Sequence, residues 1–359
     1  MSWNWLMLFS MCAATAWLLG MGFTAVACMA APRLGLVDRP KSEGHKNHRN
    51  ATAVAGGMAM WAAFTLTVAI GLVAAVCIPS AGLREALKGL SAVRLQLCAL
   101  CVSATVLMLM GMRDDHHAMK AGTKFAWQFA AAAATAAAGV RLMPGTLPTA
   151  LSMAVTVLWI ATVINAINFF DNMDGLAGGT GAIAFFFLAL VAGLHGQYFV
   201  GMFNCAALGA TLGFLHFNRA PARIFMGDSG SHFLGYLLAV SSILTSYYRP
   251  AEAPTFLPVL IPVFILAIPL IDALTVVIIR LRLHQPIHVG DNRHISHRFT
   301  NIGLTRPQAV LVVWLLSFIA GAGALALLWL PPFGATLILA QILAMTAIVL
   351  IVQFCARHS

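Results

Sequence analysis

Charge is what this sequence most lacks. Only 9% of its 359 residues are Asp, Glu, Lys or Arg, against about 25% in a soluble domain. No stretch is long and polar enough to form a separate soluble domain, and no long internal repeat or disordered low-complexity segment is present. Short alternating segments are also missing, which argues against a membrane β-barrel. Cysteine is sparse. All seven cysteines lie in or at the ends of apolar runs, and the one CxxC, Cys98–Cys101, has no further polar ligand beside it. They read as small core residues rather than a zinc or redox site.

What fills the chain instead is apolar sequence, 60% of all residues. A span needs about 20 such residues. Counting on that basis predicts an all-α, polytopic membrane bundle of eleven helices, near 4–31, 53–78, 93–112, 125–141, 147–166, 179–195, 198–217, 231–249, 256–280, 307–330 and 333–355. The run at 125–141 is dominated by alanine and is expected inside the bundle. Gly209 and Gly213 form a GxxxG that suits close helix packing. The N-terminal run has no basic residue before it, so it reads as a first transmembrane helix rather than a cleaved signal. The whole chain, 1–359, reads as one integral-membrane domain.

The few charges are unevenly placed. With the N-terminus outside, sixteen of the 21 Lys and Arg residues fall on the inner side and the C-terminus is cytoplasmic. The formal charge of +10 is then a cytoplasmic excess that suits anionic lipids and phosphates rather than nucleic acid. Eight of the eleven acids gather on that same inner face. A site that handles metal and phosphate gives carboxylates a reason to lie among basic residues.

The inner loops, about 32–52, 112–124, 167–178, 218–230 and 281–306, carry the polar groups. The 167–178 loop belongs to NAINFFDNMDGLAGG, in which Asn165, Asn168, Asp171 and Asp174 recur every three residues; a continuing helix places them roughly along one face. The first loop offers His48, with Lys46 and Arg49, to an anion. The second holds Asp114-Asp115, whose side chains point in different directions, with Lys124 and Gln128 beyond. Adjacent carboxylates raise each other's pKa unless a cation lies between them. In the fourth loop, Asp228 sits between glycines just before a helix that Ser229 or Ser231 can cap, and the helix start favours a phosphate. Asp228 is a hard oxygen donor suited to magnesium. The fifth loop, HQPIHVGDNRHISHRF, has Arg293, His294, His297 and Arg298, better suited to phosphate than to zinc. His232 reads as a buried helix residue. Asp272, beside Pro269 within a span, reads as a partner for Arg280 or a cavity-lining group.

Taken together, these motifs resemble the polyprenyl-phosphate N-acetylhexosamine-1-phosphate transferases, glycosyltransferase family 4, from about Gly35 to Phe299. Asp114-Asp115 with Lys124 and Gln128 is similar to the family's DD…K…Q element. Asn165, Asn168, Asp171, Asp174 and Gly175 match NxxNxxDxxDGLA. Asn218, Pro221, Phe225, Gly227 and Asp228 match N…PA..FMGDxGS. Pro286, Asp291, His294, His297 and Arg298 match the last loop, and Asp38, Arg39, Pro40, His48, Gly56 and Gly57 the first. The sequence departs from the pattern at Ser296, where histidine is usual, at Asn172, where glycine is common, and at Ala51, Ala53 and Val54.

The resemblance implies transfer of a sugar 1-phosphate, most simply N-acetylglucosamine 1-phosphate, from a UDP-sugar to undecaprenyl phosphate, with release of UMP, at the cytoplasmic face of a bacterial inner membrane. It implies magnesium on Asp228, with Asp171 as a second ligand and manganese as a substitute. Asp114, Asp115, Asp171, His294 and His297 are the expected catalytic set. Lys124, Asn165, Asn168, Asp174, Phe225, Arg293, Arg298 and His48 are the expected substrate contacts, with Phe225 stacking on uracil. A homodimer is left open. The peptidoglycan translocase reaction is the alternative within the family. A transporter is the alternative outside it, although transporters place ionisable groups near the midplane and here only Asp272 does so.

Overall fold

The computed structural model describes residues 4–38, 52–77, 93–248, 255–286 and 293–355. His48 and Asp291, both named above, lie outside these. Thirteen α-helices occur among the described residues: α1 (Asn4–Ala30), α2 (Gly56–Cys77), α3 (Arg94–His116), α4 (Ala121–Ala137), α5 (Thr149–Phe170), α6 (Leu176–Leu194), α7 (Tyr198–Asn218), α8 (Gly227–Leu244), α9 (Ile261–Ile265), α10 (Ala267–Arg282), α11 (Ile295–Asn301), α12 (Arg306–Ala326) and α13 (Pro332–Cys355). The chain is an all-α polytopic membrane protein.

Every expected apolar run becomes a helix, but not every helix is a full span. Seven are long and apolar enough to cross a membrane, and α9 and α10, with the 3-10 turn before them, form an apolar pair bent by 70° at the break between them. The helices α4, α8 and α13 do not meet that measure over their described residues. The alanine-rich α4 is not enclosed by the bundle as expected. Gln128, Ala131, Ala132, Thr135 and Ala136 make one buried face, while Phe125, Trp127 and Phe129 stay exposed on the other. The spacing of three and four residues explains this division, and the aromatics give the outer face its lipid affinity.

Helix α8 lies inside the bundle, packed on α2, α3 and α5. Phe233, Leu234, Tyr236, Leu237 and Leu238 are all buried, and Tyr236 shares a 2.7 Å hydrogen bond with Thr135 of α4. On the other side, α7 lies along α1. The GxxxG is at that seam: a Cβ on Gly209 would fall 2.2 Å from the Ala13 carbonyl oxygen, and one on Gly213 would fall 2.7 Å from Gly20. Small residues allow the two backbones this approach.

A three-stranded sheet closes one end of the bundle. Strands β1 (Val37–Asp38) and β2 (Thr52–Val54) pair antiparallel, and β2 pairs in parallel with β3 (Ile224–Phe225). The sheet joins the chain before α2 to the chain before α8. It thereby brings Asp38, Val54 and Phe225 to the rim of one cleft.

Candidate active site

The site is built where α3, α5 and α8 meet. At the C-terminal end of α3, Asp115 accepts the N–H groups of Asp228 (2.7 Å) and Ser229 (3.1 Å). The start of α8 is therefore capped from another helix, not by Ser229 or Ser231, neither of which makes a side-chain cap. A helix start leaves four N–H groups unpaired and favours negative charge; here a protein carboxylate takes two of them, where the sequence suggested a phosphate. Ser231 instead accepts a hydrogen bond from Asn168 at 2.8 Å.

Asp228 is held from three directions. Lys124 donates to its Oδ2 at 2.8 Å and forms an ion pair with Asp114. Asn168 donates to its Oδ1 at 2.9 Å. The His232 ring contacts its carbonyl at 2.7 Å. Burial favours the neutral acid, but hydrogen bonding with Asp114 and the charges of His232 and Lys124 outweigh it and hold the Asp228 carboxyl below the usual range. Asp114 also accepts the Met119 N–H at 2.5 Å, which folds the turn leading to Lys124 back on α3.

The four residues spaced by three do not share one wall. The helix α5 ends at Phe170, with Asp171 as its C-cap, and each step of three on a helix falls about 60° short of a full circle. Asn165 donates to Gln128 at 2.7 Å and lines a smaller cavity of about 420 Å³, together with Lys124, Asn168 and His232. Asp171 and Asp174 line a larger cleft of about 1030 Å³, as do Asp115, Asn168, Phe225 and Asp228. Asn168 borders both. Asp174 also accepts the Ala222 N–H at 3.0 Å. Gly175, at φ +77°, turns the chain into α6 and donates its N–H to Asn218 at 3.0 Å, fixing the Asp171–Asp174 turn to the end of α7.

Burial, together with the charges of Asp228, Asp115 and Asp174, pushes the Asp171 carboxyl up to about 7. The neighbouring carboxylates thus leave negative potential at Asp171 itself, while Lys124 offsets the charge of Asp228 and Asp114. A cation in the large cleft would relieve that potential.

The last loop is only partly in the cleft. His297 lines it. His294 lines neither cavity: it is buried, and its Nδ1 lies 2.7 Å from Asp272 Oδ2. Asp272 also accepts the Ile295 N–H at 2.7 Å. Arg293 donates to Gln285 at 2.7 Å, Arg298 is buried, and neither lines either of these two cavities. Two ionisable cleft residues are not singled out by the sequence motifs: His116, at the end of α3, and Arg306 both line the large cleft. For Arg306 the signal was present in Thr305 and Gln308, which form a capping box that starts α12 at Arg306.

The family model for glycosyl transferase family 4 matches residues 97–246. The "Probable undecaprenyl-phosphate N-acetylglucosaminyl 1-phosphate transferase" of Bacillus subtilis is 31% identical over 322 residues, covering 86% of this chain and 83% of its own. The chain belongs to glycosyl transferase family 4. Another relative, the decaprenyl-phosphate N-acetylglucosaminephosphotransferase of Mycobacterium tuberculosis, is 31% identical over 329 residues, 85% of this chain and 78% of its own. Similarity to the phospho-N-acetylmuramoyl-pentapeptide-transferase of Rubrobacter xylanophilus is shorter: 32% over 175 residues, 49% of this chain and 50% of that one. The matched family segment spans α3 to α8 and so contains Asp114, Asp115, Lys124, Asn168, Asp171, Asp174 and Asp228. The family's remaining loop, with His297, reaches the same cleft from α11.

Proposed function

We propose that this protein transfers N-acetylglucosamine 1-phosphate from UDP-N-acetylglucosamine to undecaprenyl phosphate, releasing UMP, at the cytoplasmic face of a bacterial inner membrane. The observation that carries this reading is the pair of cavities meeting at Asn168. The larger holds the carboxylates, with His297, Arg306 and Phe225. The smaller combines Lys124, Gln128, Asn165 and His232 with Met119, Phe125 and Phe169, a lining suited to a phosphate on an alkyl chain.

In this reading the nucleotide sugar occupies the larger cleft, with Phe225 stacking on uracil and Arg306 facing its phosphates. The lipid phosphate enters by the smaller cavity and meets Lys124. One acceptor oxygen forms a bond to the sugar-side phosphorus while the bond from that phosphorus to the oxygen of UMP breaks. Holding the two reactants in line is the main task of such a site. Asp114 and Asp115 position Lys124 and the start of α8. Asp171 takes the acceptor's proton when that phosphate arrives protonated, and His297 steadies charge on the phosphates.

Magnesium fits the donor set. Among the described residues no group of three or more His, Cys, Asp or Glu side chains is arranged as a complete cage. Magnesium, however, commonly uses one or two carboxylates and completes its shell with water and substrate phosphate. Asp228 would supply that ligand, in a cleft it shares with the carboxylates of Asp115, Asp171 and Asp174. When bound, the ion would neutralise the pyrophosphate and assist departure of UMP; manganese would serve similarly. The cytoplasmic orientation rests on the excess of Lys and Arg at this end.

The test is to supply the purified protein with undecaprenyl phosphate and each of two donors, UDP-N-acetylglucosamine and UDP-N-acetylmuramoyl-pentapeptide, and to identify the lipid product by mass spectrometry. An undecaprenyl-diphosphate N-acetylglucosamine product supports the proposal. Product from the pentapeptide donor alone would replace it with the translocase reaction.

A further inference from the structure

Helix α11 is seven residues long, too short to hold its shape without tertiary support. It packs on α12 and α13, and hydrogen bonds tie its start to two other segments. At its start, Asp272 accepts the Ile295 N–H at 2.7 Å and lies 2.7 Å from His294 Nδ1. Asp272 is 1% exposed and His294 4%. One residue further on, Ser296 donates to Asn172 Oδ1 at 2.5 Å, and Asn172 is itself oriented by donating to the Phe169 carbonyl at 3.1 Å. The first tie runs to α10, the longer helix of the bent pair. The second runs to the turn that carries Asp171 and Asp174. The residue that follows Ser296 is His297, which lines the cleft, whereas Asp272, His294 and Ser296 line neither cavity.

We infer that Asp272 and His294 are positioning residues, not reacting groups, and that with the Ser296–Asn172 hydrogen bond they fix α11 so that His297 faces the phosphates. A buried carboxylate within a span is costly unless it is paired. Here it meets the first helical N–H and the residue just before it, which sets the direction of α11. The inference rests on the transferase reading for the role of His297, but not for the geometry of α11.

The test is a double-mutant cycle on the full chain in detergent, with UMP release as the readout. Asp272→Asn keeps the shape and one acceptor but loses the carboxylate. It is expected to lower kcat about 10- to 100-fold, the scale of a 1 Å misplacement at a reacting centre, with both KM values within about threefold. In a His297→Ala background the same change is expected to cost less than about threefold, because the group it positions is gone. Losses that multiply in the double mutant would overturn the inference. If Asp272→Asn does not fold, Ser296→Ala enters the same cycle from the other tie, with the same two outcomes. The geometry is read separately by diethyl pyrocarbonate labelling of His297, quantified by peptide mass spectrometry. A several-fold change of rate in Asp272→Asn supports positioning even if the wild-type protein transfers no sugar phosphate, and an unchanged rate overturns it. Full activity in His297→Ala would remove His297 from the proposed reaction and leave the labelling rate to decide α11.

Discussion

Gly111 offers the sharpest perturbation of the α3–α8 junction. A Cβ at this position would lie 2.4 Å from the carbonyl carbon and oxygen of Asp228 and from the Ser229 nitrogen. Non-bonded carbon contacts settle at about 3.5–4.0 Å, so Gly111→Ala requires the first turn of α8 to withdraw by about 1 Å. The obstructing atoms are backbone and have no rotamer in which to escape. Asp115 sits one turn further along α3 and caps the same two residues at 2.7 and 3.1 Å; such a withdrawal stretches these beyond hydrogen-bonding range. Overpacking of this kind costs about 1–3 kcal/mol, and a lost cap adds about 1 kcal/mol. The larger effect is on activity, since Asp228 moves with the turn. A displacement of about 1 Å costs on the order of 100-fold in kcat. UMP release and thermal unfolding in detergent would be measured side by side. Gly122→Ala is the control: it lies on α4 two residues from Lys124, with nothing within 4 Å of an added Cβ, and should leave activity unchanged. Gly111→Ala with activity within about threefold of wild type would refute the claim that this close approach sets the position of Asp228.

Three further outcomes follow from the geometry. Asp171 titrates near 7 in the folded protein against an ordinary 3.8, so folding favours its protonated form; metal-free protein should lose stability as pH rises from about 4 through 7. The loss is at most about 4 kcal/mol at 1.36 kcal/mol per unit, reduced by water in the open cleft. Thermal melts of Asp171→Asn should show a shallower decline than wild type and exceed it at pH 8, and equal melting curves across that range would contradict it. Arg306→Ala should raise the donor KM about 10- to 100-fold, the worth of a charge-assisted phosphate contact, with the acceptor KM unchanged; steady-state kinetics in both substrates would show otherwise if Arg306 faces neither phosphate. Gly209→Val should force α7 off α1 and lower the melting temperature, while any protein that remains folded keeps its KM values.

Much of this was legible because hydrophobic runs are a local property. All eleven expected apolar segments are helical, and Asp115, Asn168, Asp171, Asp174, Phe225, Asp228 and His297 do share a cleft. What escaped the sequence depends on contacts between distant segments. The cap on α8 comes from Asp115, 113 residues earlier. His294 is drawn to Asp272 across 22 residues, which no spacing rule connects. Asn165 parts from Asp171 because α5 stops at Phe170, and a threefold spacing aligns side chains only roughly even within one helix. Arg306 looked like one more inner-loop charge until the start of α12 was placed.

The most direct test of the central claim is UMP release from UDP-N-acetylglucosamine with undecaprenyl phosphate, titrated with magnesium, for wild type and Asp228→Asn. The account predicts metal-dependent release by wild type and a loss of at least about 100-fold in the variant. Release that is independent of added metal and equal in the two proteins would contradict it.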